Sequence, residues 1–476
     1  MEFDIHPLDL FIFVIYLCGM LAVGMYFAKR NKSNDEYYVG GRGMSAGHIG
    51  LSVVATDVGG GFSIGLGGLG FLMGLSGSWM LFTGLLGAWI SSVILIPKVY
   101  KVARDHKFLT FPQALAHYYN PKVALVAGII SLIGYAGFSS SQILAGAKLA
   151  SATFSSLGVK EAVLIMGLIA VIYTVIGGMK AVIYTDTVQW IILMVGLIGI
   201  GLPIAYYKIG GFEAIASSVP KEFLRLDNLS FVDFLNWLIT ILPIWFVGMT
   251  LYQRIYASKD QKTAVKAWRI AGLFEWPIMA FMGIALGLFA RVAFDQGMFA
   301  DLGYASSDGL DAELGLPLLL RNILPIGLMG LMMSAYFSAI LSTADSCLMA
   351  ASGNFVTDIY GYFNSREQGI RLSQWVTLII GAAAILLATL MQDVLELMLY
   401  SYAFMVSGLL IPVLGMIFAK NPSPKAAIVA MIGGGGTTLA LILSGIDLPF
   451  GLDENFFGIL GSAILFLLVQ KIDKQH

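Results

Sequence analysis

The sequence predicts an all-α membrane protein that crosses the bilayer many times. Apolar residues make up 58% of the 476 residues and charged residues only 12%, against about a quarter in soluble domains. Many apolar windows exceed about 18 residues, enough to cross some 30 Å of hydrocarbon. The net charge of −1 gives no indication of nucleic-acid binding. The polar connections are short, so no soluble domain is indicated.

Thirteen apolar segments are predicted to span the membrane. The first lacks a basic region before it and a small-residue cleavage site after it, so we interpret it as a retained helix and not a signal peptide. The predicted spans are residues 7–28, 46–75, 77–103, 122–154, 158–178, 181–207, 231–256, 264–294, 325–360, 371–391, 394–419, 424–445 and 455–471.

The placement of charge tests this number of spans. With the N-terminus outside, 21 of the 28 Lys and Arg residues fall in inside loops, Arg254 among them. Six fall outside, and Lys148 lies within a span. This bias satisfies the positive-inside rule at nearly every loop, and the outside loop 295–313 is acidic instead. The sequence therefore predicts an outside N-terminus and an inside C-terminus.

The second span carries the most informative feature of the chain. Asp57 and the three glycines Gly59–Gly61 interrupt an otherwise apolar run. A bare Asp in hydrocarbon costs roughly 2.5–3.5 kcal/mol, and each glycine weakens a helix by about 1 kcal/mol relative to Ala. Irregular backbone at membrane depth is tolerated only where it lines a cavity. The segment therefore predicts a broken helix whose freed carbonyl groups and negative charge hold a cation.

A matching interruption occurs in the seventh span, at Pro243 and Gly248. Spans 2–6 and 7–11 then form two halves that each open with a broken helix, and because five is odd the halves must be inverted. Paired breaks of this kind point to a transporter binding site. The predicted domains are a peripheral N-terminal helix and loop (1–45), the first five-helix repeat (46–210), the second, inverted repeat (211–420) and two peripheral C-terminal helices (421–476).

The ninth span carries hydroxyl groups on one helical face. Ala339, Ser342, Thr343 and Ser346 follow the spacing of residues that share a face. Two hydroxyls together with carbonyls from an unwound partner helix would supply oxygen ligands for sodium. Small hydroxyl residues at this spacing also permit close helix packing. The neighbouring Asp345 favours function, because carboxylates within membranes are rare and mark ion or substrate pathways.

Three further charged residues fall within spans. Asp186 either caps or pairs with Lys180 or lines an inner ion path. Glu275, which precedes Trp276 and Pro277 at a predicted kink of the eighth span, is expected to be paired near the cytoplasmic third. Lys148 lies near the outer end of its span and is expected to extend to the interface.

These segments resemble the solute:sodium symporter family. The resembling residues are Gly177-Gly178, Thr185-Asp186 and Gln189, then Ala339 with Ser342-Thr343, and Gln253-Arg254 followed by Ala257-Ser258-Lys259-Asp260. The resemblance covers about residues 5–420. It implies the inverted five-plus-five fold of leucine-type transporters, with one extra helix before it and two after it. It also implies sodium-coupled symport across a bacterial inner (plasma) membrane.

The resemblance implies one sodium site and admits a second. The shared site falls on the carbonyls of Ala55, Val58 and Ala339 and the hydroxyls of Ser342 and Thr343. The second site of some members falls on Asp186, Ser342, Asp345 and Ser346. Whether one or two sodium ions bind is open. Two are favoured, because Asp345 is more anionic than the serine often found at that position.

The solute pocket is predicted between the two broken helices and the fourth span. The candidate residues are Asp57, Gly60, Phe62, Ser63, Phe138, Ser139, Gln142, Trp245, Phe246 and Met249. As a set they resemble an aromatic box with few polar groups, as is typical of small-molecule sites.

Asp57 has two interpretations: it holds a solute ammonium, as in proline-carrying members, which also have Asp here, or it organises the ion site. The absence of Arg from 137–142 argues against large sugar acids. The choline-carrying branch has Trp in place of Asp57, so a quaternary amine is disfavoured. The best prediction is sodium-coupled uptake of a small amino acid such as proline. A choline-like amine, a carboxylate or a sugar are the alternatives.

Other mechanisms remain as rivals. Proton coupling is the main alternative, because Asp57, Asp186 and Asp345 are each able to relay protons. A membrane sensor of this fold is expected to carry a cytosolic signalling domain, and none is indicated up to His476, so a sensor is disfavoured. Paired broken helices favour a carrier over a sodium channel. No nucleophile–base pair or cofactor motif indicates an enzyme. The expected partners are the solute, sodium and membrane lipid, with no nucleic acid and no obligate protein partner.

Overall fold

The computed structural model describes residues 6–28, 34–57, 59–154, 157–177, 179–305, 309–364 and 369–473. Every regular element among them is helical. The helices are α1 Pro7–Ala28, α2 Asn34–Val39, α3 Ala46–Asp57, α4 Gly59–Met73, α5 Trp79–Asp105, α6 Phe111–Tyr118, α7 Pro121–Thr153, α8 Val159–Gly177, α9 Met179–Gly196, α10 Leu202–Lys208, α11 Gly211–Ser218, α12 Phe231–Val247, α13 Met249–Ala257, α14 Gln261–Leu273, α15 Ala280–Asp295, α16 Ala312–Ile323, α17 Leu328–Gly353, α18 Gly361–Phe363, α19 Ile370–Ala388, α20 Val394–Phe418, α21 Pro424–Ser444 and α22 Glu454–Asp473.

Within the described residues, nine helices are long and apolar enough to cross a membrane. The number rises to ten if α12 and α13, which are bent by 42° at Gly248, count as one broken span. Each of the thirteen predicted segments falls on a helix or on consecutive helices. The structure adds α16, which the sequence analysis did not assign and which packs against α4, α7 and α15.

The backbone is irregular at Gly59, the first of the three glycines. α3 is described as far as Asp57 and α4 from Gly59 onward, and Gly60 and Gly61 belong to α4. Gly59 has φ +42°, in the left-handed region that favours glycine. A Cβ atom at Gly59 would overlap the hydroxyl oxygen of Thr343. Both the backbone conformation and the packing against α17 therefore require glycine here.

The second break is confirmed at Gly248, where ψ of 113° leaves the helical range. Pro243 lies inside α12, which continues through it. The predicted kink of the eighth span is also present. α14 ends at Leu273, a π-helical segment follows over Phe274–Met279 with Trp276 at φ −136° and ψ 125°, and α15 resumes at Ala280.

α17 forms the centre of the molecule. In the helical segment Leu328–Phe363, which contains α17, 94% of an 18-residue apolar stretch is buried. The corresponding stretch of α22 is 22% buried. α17 packs against α7, α9, α1, α19, α4 and α3, whereas α21 packs mainly against α22. The broken pair α3–α4 and the ninth predicted span therefore meet in the interior, and α21 and α22 lie at the periphery.

Candidate sodium and solute sites

The first break and α17 meet through one hydroxyl group. Thr343 Oγ1 donates hydrogen bonds to the carbonyl oxygens of Ala55 at 2.9 Å and Ala339 at 3.1 Å. These three atoms belong to three of the five residues of the predicted shared sodium site. Ala55 lies near the end of α3, shortly before the irregular backbone at Gly59. Val58 itself lies outside the described residues.

The fourth described member, Ser342, points elsewhere. Its hydroxyl donates a hydrogen bond to Asp186 Oδ1 on α9. Asp186 Oδ2 also accepts a hydrogen bond from Ser52 Oγ on α3, at 2.6 Å. Ser342 therefore joins the predicted second site, and Asp186 faces the protein interior with no exposed surface. The side chain of Lys180, the other partner considered for Asp186, lies outside the described residues.

A guanidinium group occupies the centre of the predicted second site. Arg254 Nη2 lies 3.5 Å from Asp186 Oδ2, and it donates to Ser346 Oγ at 2.9 Å and to Thr56 Oγ1 at 2.5 Å. The side chains of Arg254 and Asp186 are both fully buried. The placement of Arg254 among the inside-loop charges was therefore wrong. The short helix α13 turns this side chain into the core, where it neutralises Asp186.

Asp345, the remaining member of that set, has a different partner. Its Oδ1 accepts a hydrogen bond from Thr174 on α8. Its Oδ2 is buried without a hydrogen-bond donor among the described residues. The structure thus links Asp186, Ser342 and Ser346 through hydrogen bonds, and it leaves Asp345 with one oxygen open to a further ligand.

Among the predicted solute residues that the structure describes, the rings of Phe138 and Trp245 pack against different partners. The Phe138 ring packs edge-on to Tyr402 with 5.0 Å between centroids, and Tyr135 lies 6.3 Å away. The Trp245 ring instead packs against Trp268 on α14, at 6.1 Å. Phe138 and Trp245 therefore line different helix interfaces in this conformation.

The other predicted solute residues make local contacts. Ser63 and Ser139 donate to carbonyls one turn earlier, Gln142 donates to Ser141 Oγ, the Phe246 carbonyl accepts from Tyr252, and Met249 Sδ accepts from the Phe111 amide. The side chains of Gly60 and Phe62 lie outside the described residues.

Asp57 is the predicted solute residue with the most unusual surroundings. Its Oδ1 accepts a hydrogen bond from the Tyr402 hydroxyl at 3.4 Å. The carboxyl group of Glu275 is its acidic neighbour. Neither oxygen of Glu275 has a hydrogen-bond donor among the described residues. The expectation that Glu275 is paired was therefore wrong, since its neighbour is another acid.

The sequence analysis thus missed four residues: Arg254, Tyr402, Tyr135 and Glu275. A signal was present for Glu275, because the argument applied to Asp345, that carboxylates within spans are functional, holds equally for it. Tyr402 and Tyr135 are polar aromatic residues inside apolar spans, but nothing in the sequence indicates that they meet.

A large acidic cavity opens at one end of the molecule. This acidic vestibule has a volume of about 830 Å³ and is lined by residues of α4, α5, α12, α16 and α20 and of the connections before α16, α20 and α22. Its carboxylates are Asp311, Glu313, Asp393, Glu396, Asp453 and Glu454. All six come from segments at or beside predicted outside loops.

Lys148 lies beside this vestibule. Its Nζ is 2.6 Å from Asp311 Oδ2 and 2.7 Å from Glu313 Oε2, and its side chain is buried. The expectation that Lys148 extends to the interface was therefore wrong. Glu313 also accepts hydrogen bonds from the Val394 and Leu395 amides at the start of α20. Burial raises the pKa of Glu313, and Lys148 opposes that shift.

Comparison with known proteins identifies the family. The model of the sodium:solute symporter family matches residues 37–434. The chain belongs to this family. Sodium is accordingly the coupling ion, and the members of this family carry solutes across membranes.

Three relatives illustrate the range of solutes. The osmoregulated proline transporter OpuE of Bacillus subtilis is 26% identical, over 97% of this chain and 94% of its own. The sodium/proline symporter of Salmonella typhimurium is 27% identical, over 96% and 92%. The sodium/glucose cotransporter of Vibrio parahaemolyticus is 23% identical, over 98% and 90%.

Solved structures show the same fold. A sodium-coupled sialic acid symporter in a substrate-bound, outward-open state superimposes with a TM-score of 0.79 at 21% identity, over 98% of both chains. A transporter of the nucleobase-cation-symport-1 family in a closed conformation gives 0.56 at 14% identity, over 92% of this chain and 94% of that chain. The chain therefore shares the leucine-transporter-like fold of these sodium symporters.

Proposed function

We propose that the protein carries a small amino acid, with proline the best candidate, into a bacterial cell together with sodium by alternating access. Two of the relatives that align over nearly the whole chain are named for proline transport. Asp57 supplies a negative charge for a solute ammonium at the first broken helix. The convergence of Thr343 Oγ1 with the carbonyls of Ala55 and Ala339 carries the proposal, because it joins the break to α17 at an oxygen-lined point.

Sodium at this point would link ion binding to solute binding. An ion held by Ala55, Val58, Ala339, Ser342 and Thr343 fixes the end of α3 against α17. Asp57 follows Ala55 by two residues, so the same ion fixes the solute site. The two affinities are then reciprocal, with a coupling of typically about 1–3 kcal/mol. Each sodium ion that enters also gains about 2.3 kcal/mol from a membrane potential of about 100 mV.

The second sodium site is proposed for a different state of the protein. Arg254 neutralises Asp186 and binds Ser346 in this conformation. A sodium ion at Asp186, Ser342, Asp345 and Ser346 therefore requires Arg254 to withdraw. The transport cycle would then exchange a resident positive charge for a sodium ion.

We further propose thirteen spans in the inner membrane, with the N-terminus outside and the repeats at 46–210 and 211–420, flanked by 1–45 and 421–476. The common location of the vestibule carboxylates supports this topology, because three predicted outside connections meet at one end. We propose no catalytic role, no nucleic-acid partner and no obligate protein partner, with lipid as the surrounding medium.

The test is uptake into proteoliposomes in which the sodium and pH gradients are set independently. Radiolabelled L-proline should accumulate with an inward sodium gradient at equal pH, and a proton gradient alone should drive no accumulation. Accumulation driven by the proton gradient without sodium would favour proton coupling instead. A thermal-shift screen of amino acids, amines, carboxylates and sugars, with and without sodium, tests the choice of solute.

A further inference from the structure

Asp57 and Glu275 form a pair of acids that the sodium site does not include. Asp57 lies at the end of α3, and Glu275 lies in the irregular segment between α14 and α15. The two carboxyl groups are neighbours, and Asp57 is 6% exposed and Glu275 0% exposed. Both oxygens of Glu275 lack a donor among the described residues. Among the described residues, the hydrogen-bond donor to this pair is therefore the Tyr402 hydroxyl, which lies 3.4 Å from Asp57 Oδ1.

No basic side chain among the described residues compensates this pair. The buried cation Arg254 is bound to Asp186, and the buried Lys148 to Asp311 and Glu313. The titratable groups near the pair on neighbouring helices are Tyr402 on α20, Cys347 on α17 and Tyr135 on α7. Burying charge without a partner costs several kcal/mol per ion. A positively charged ligand is the component that would offset this cost.

Residues that line the acidic vestibule lie close in sequence to residues that adjoin the pair. Met80 and Thr240 line the vestibule. Gly84 lies one turn beyond Met80 on α5, and Ile241 directly follows Thr240 on α12. Gly84 is the glycine that faces Glu275 Oε2, with Ile241 beside it.

Helix α20, which forms another wall of the vestibule, also approaches the pair. Ala403 on α20 lines the vestibule, and the preceding residue, Tyr402, donates to Asp57. On α5, α12 and α20, a residue that adjoins the pair therefore lies within about one helical turn of a residue that lines the vestibule.

The charge of the vestibule favours the same class of ligand. Six carboxylates line it, and none of its lining residues in the described part of the chain is Lys or Arg. Lys148 neutralises part of the charge at Asp311 and Glu313. A cleft lined by one sign of charge raises the local concentration of the opposite ion. A cation entering from the vestibule would thus move towards a second negative site.

We infer that Asp57 and Glu275 together bind a monovalent cationic group, supplied by the amine of the solute. Glu275 is then a specificity-determining residue that selects solutes bearing an ammonium over uncharged or purely anionic ones. This inference rests on the proposed function and narrows it to amine-bearing solutes. An alkali ion has the same charge, so the experiment distinguishes an amine from sodium.

The experiment compares three variants of the purified full-length protein. Glu275→Gln keeps the shape of the side chain and removes its charge. Gly84→Ala keeps the charge but places a Cβ against Glu275 Oε2, which lies at the end of a flexible side chain and can move. Glu222→Gln removes an exposed acid far from the pair and is the control. The probes are L-proline, its ring-oxygen analogue tetrahydrofuran-2-carboxylate, methylammonium and sodium chloride, with binding measured by calorimetry and thermal shift.

We expect the wild type to bind L-proline in sodium at least about tenfold more tightly than the oxygen analogue. Glu275→Gln and Gly84→Ala should each weaken L-proline and methylammonium binding by about tenfold without changing the thermal shift caused by sodium alone. Glu222→Gln should match the wild type. A loss of the sodium-induced shift in Glu275→Gln would assign the pair to an alkali ion and overturn the amine assignment.

Different results refute the proposed function and the role of Glu275. If sodium neither stabilises the wild type nor promotes its binding of any probe, the proposed function is wrong. If the wild type shows sodium-dependent binding of L-proline and both pair variants retain its affinity, the proposed function stands and the role of Glu275 is refuted.

Discussion

The buried contact between Arg254 and Asp186 gives a quantitative prediction. Arg254 Nη2 and Asp186 Oδ2 are 3.5 Å apart, and neither side chain is exposed. At an effective dielectric constant of about 20, this separation corresponds to an attraction of about 5 kcal/mol. Replacing Arg254 by Met removes the charge and leaves Asp186 without its cation. Breaking a buried pair in this way costs about 3–5 kcal/mol.

The assay is the reversible unfolding of the detergent-solubilised protein, with a double-mutant cycle. Arg254→Met and Asp186→Asn should each destabilise the fold, and the combined variant should recover most of the loss, because no uncompensated charge remains. Arg254→Lys is the matched control. It keeps the charge but loses the planar fork that reaches Ser52, Thr56 and Ser346, so an intermediate stability is expected.

Sodium provides an independent readout of the same contact. If Arg254 occupies the second sodium site, then Arg254→Met should be stabilised by sodium more than the wild type is. A cost of Arg254→Met below about 1 kcal/mol, or effects of the two single changes that simply add, would refute this reasoning. An unchanged response to sodium would refute the exchange of Arg254 for a second ion.

Three further predictions concern single positions. Gly59→Ala should reduce uptake strongly and destabilise the fold by about 1–2 kcal/mol from its positive φ alone, whereas Gly436→Ala, whose Cβ meets no atom within 4 Å, should match the wild type. Lys148→Met should cost about 3 kcal/mol in unfolding free energy, because Glu313 loses its cation, and a change below 1 kcal/mol would contradict the buried ion pair. Partial burial, with Glu454 and Asp233 nearby, raises the pKa of Asp453 from 3.8 to about 6; its ionised form therefore disfavours folding as pH rises from about 4 to 6. The melting temperature of Asp453→Asn minus that of the wild type should increase from pH 5 to pH 7 and level off above pH 7. A constant difference over this range would refute the raised pKa of Asp453.

The breaks were predictable from the sequence because their signals are local. Glycine and Asp in an apolar run are costly, and the cost identifies the position within a few residues. In the structure the irregular backbone at the first break includes Gly59, with φ +42°. The contact of Thr343 with Ala55 joins residues 288 positions apart, and only the family resemblance indicated that they meet.

The buried charges were harder to predict. The positive-inside rule counts Arg254 by its position in the chain, not by the direction of its side chain, and α13 turns it inward. Lys148 finds its acids 163 and 165 residues away, in a segment to which no span was assigned. Whether Trp245 faces Phe138 or Trp268 depends on the rotation of α12, which its nearly continuous apolar sequence does not specify.

The sodium requirement of transport by Thr343 variants tests the central claim most directly. Thr343→Ala removes the hydroxyl that meets the Ala55 and Ala339 carbonyls, and Thr343→Ser keeps it. In proteoliposomes with a fixed membrane potential, Thr343→Ala should raise the half-saturating sodium concentration for L-proline uptake by about tenfold or more, and Thr343→Ser should stay near the wild type. A Thr343→Ala protein with the sodium dependence of the wild type would show that sodium does not bind at this contact.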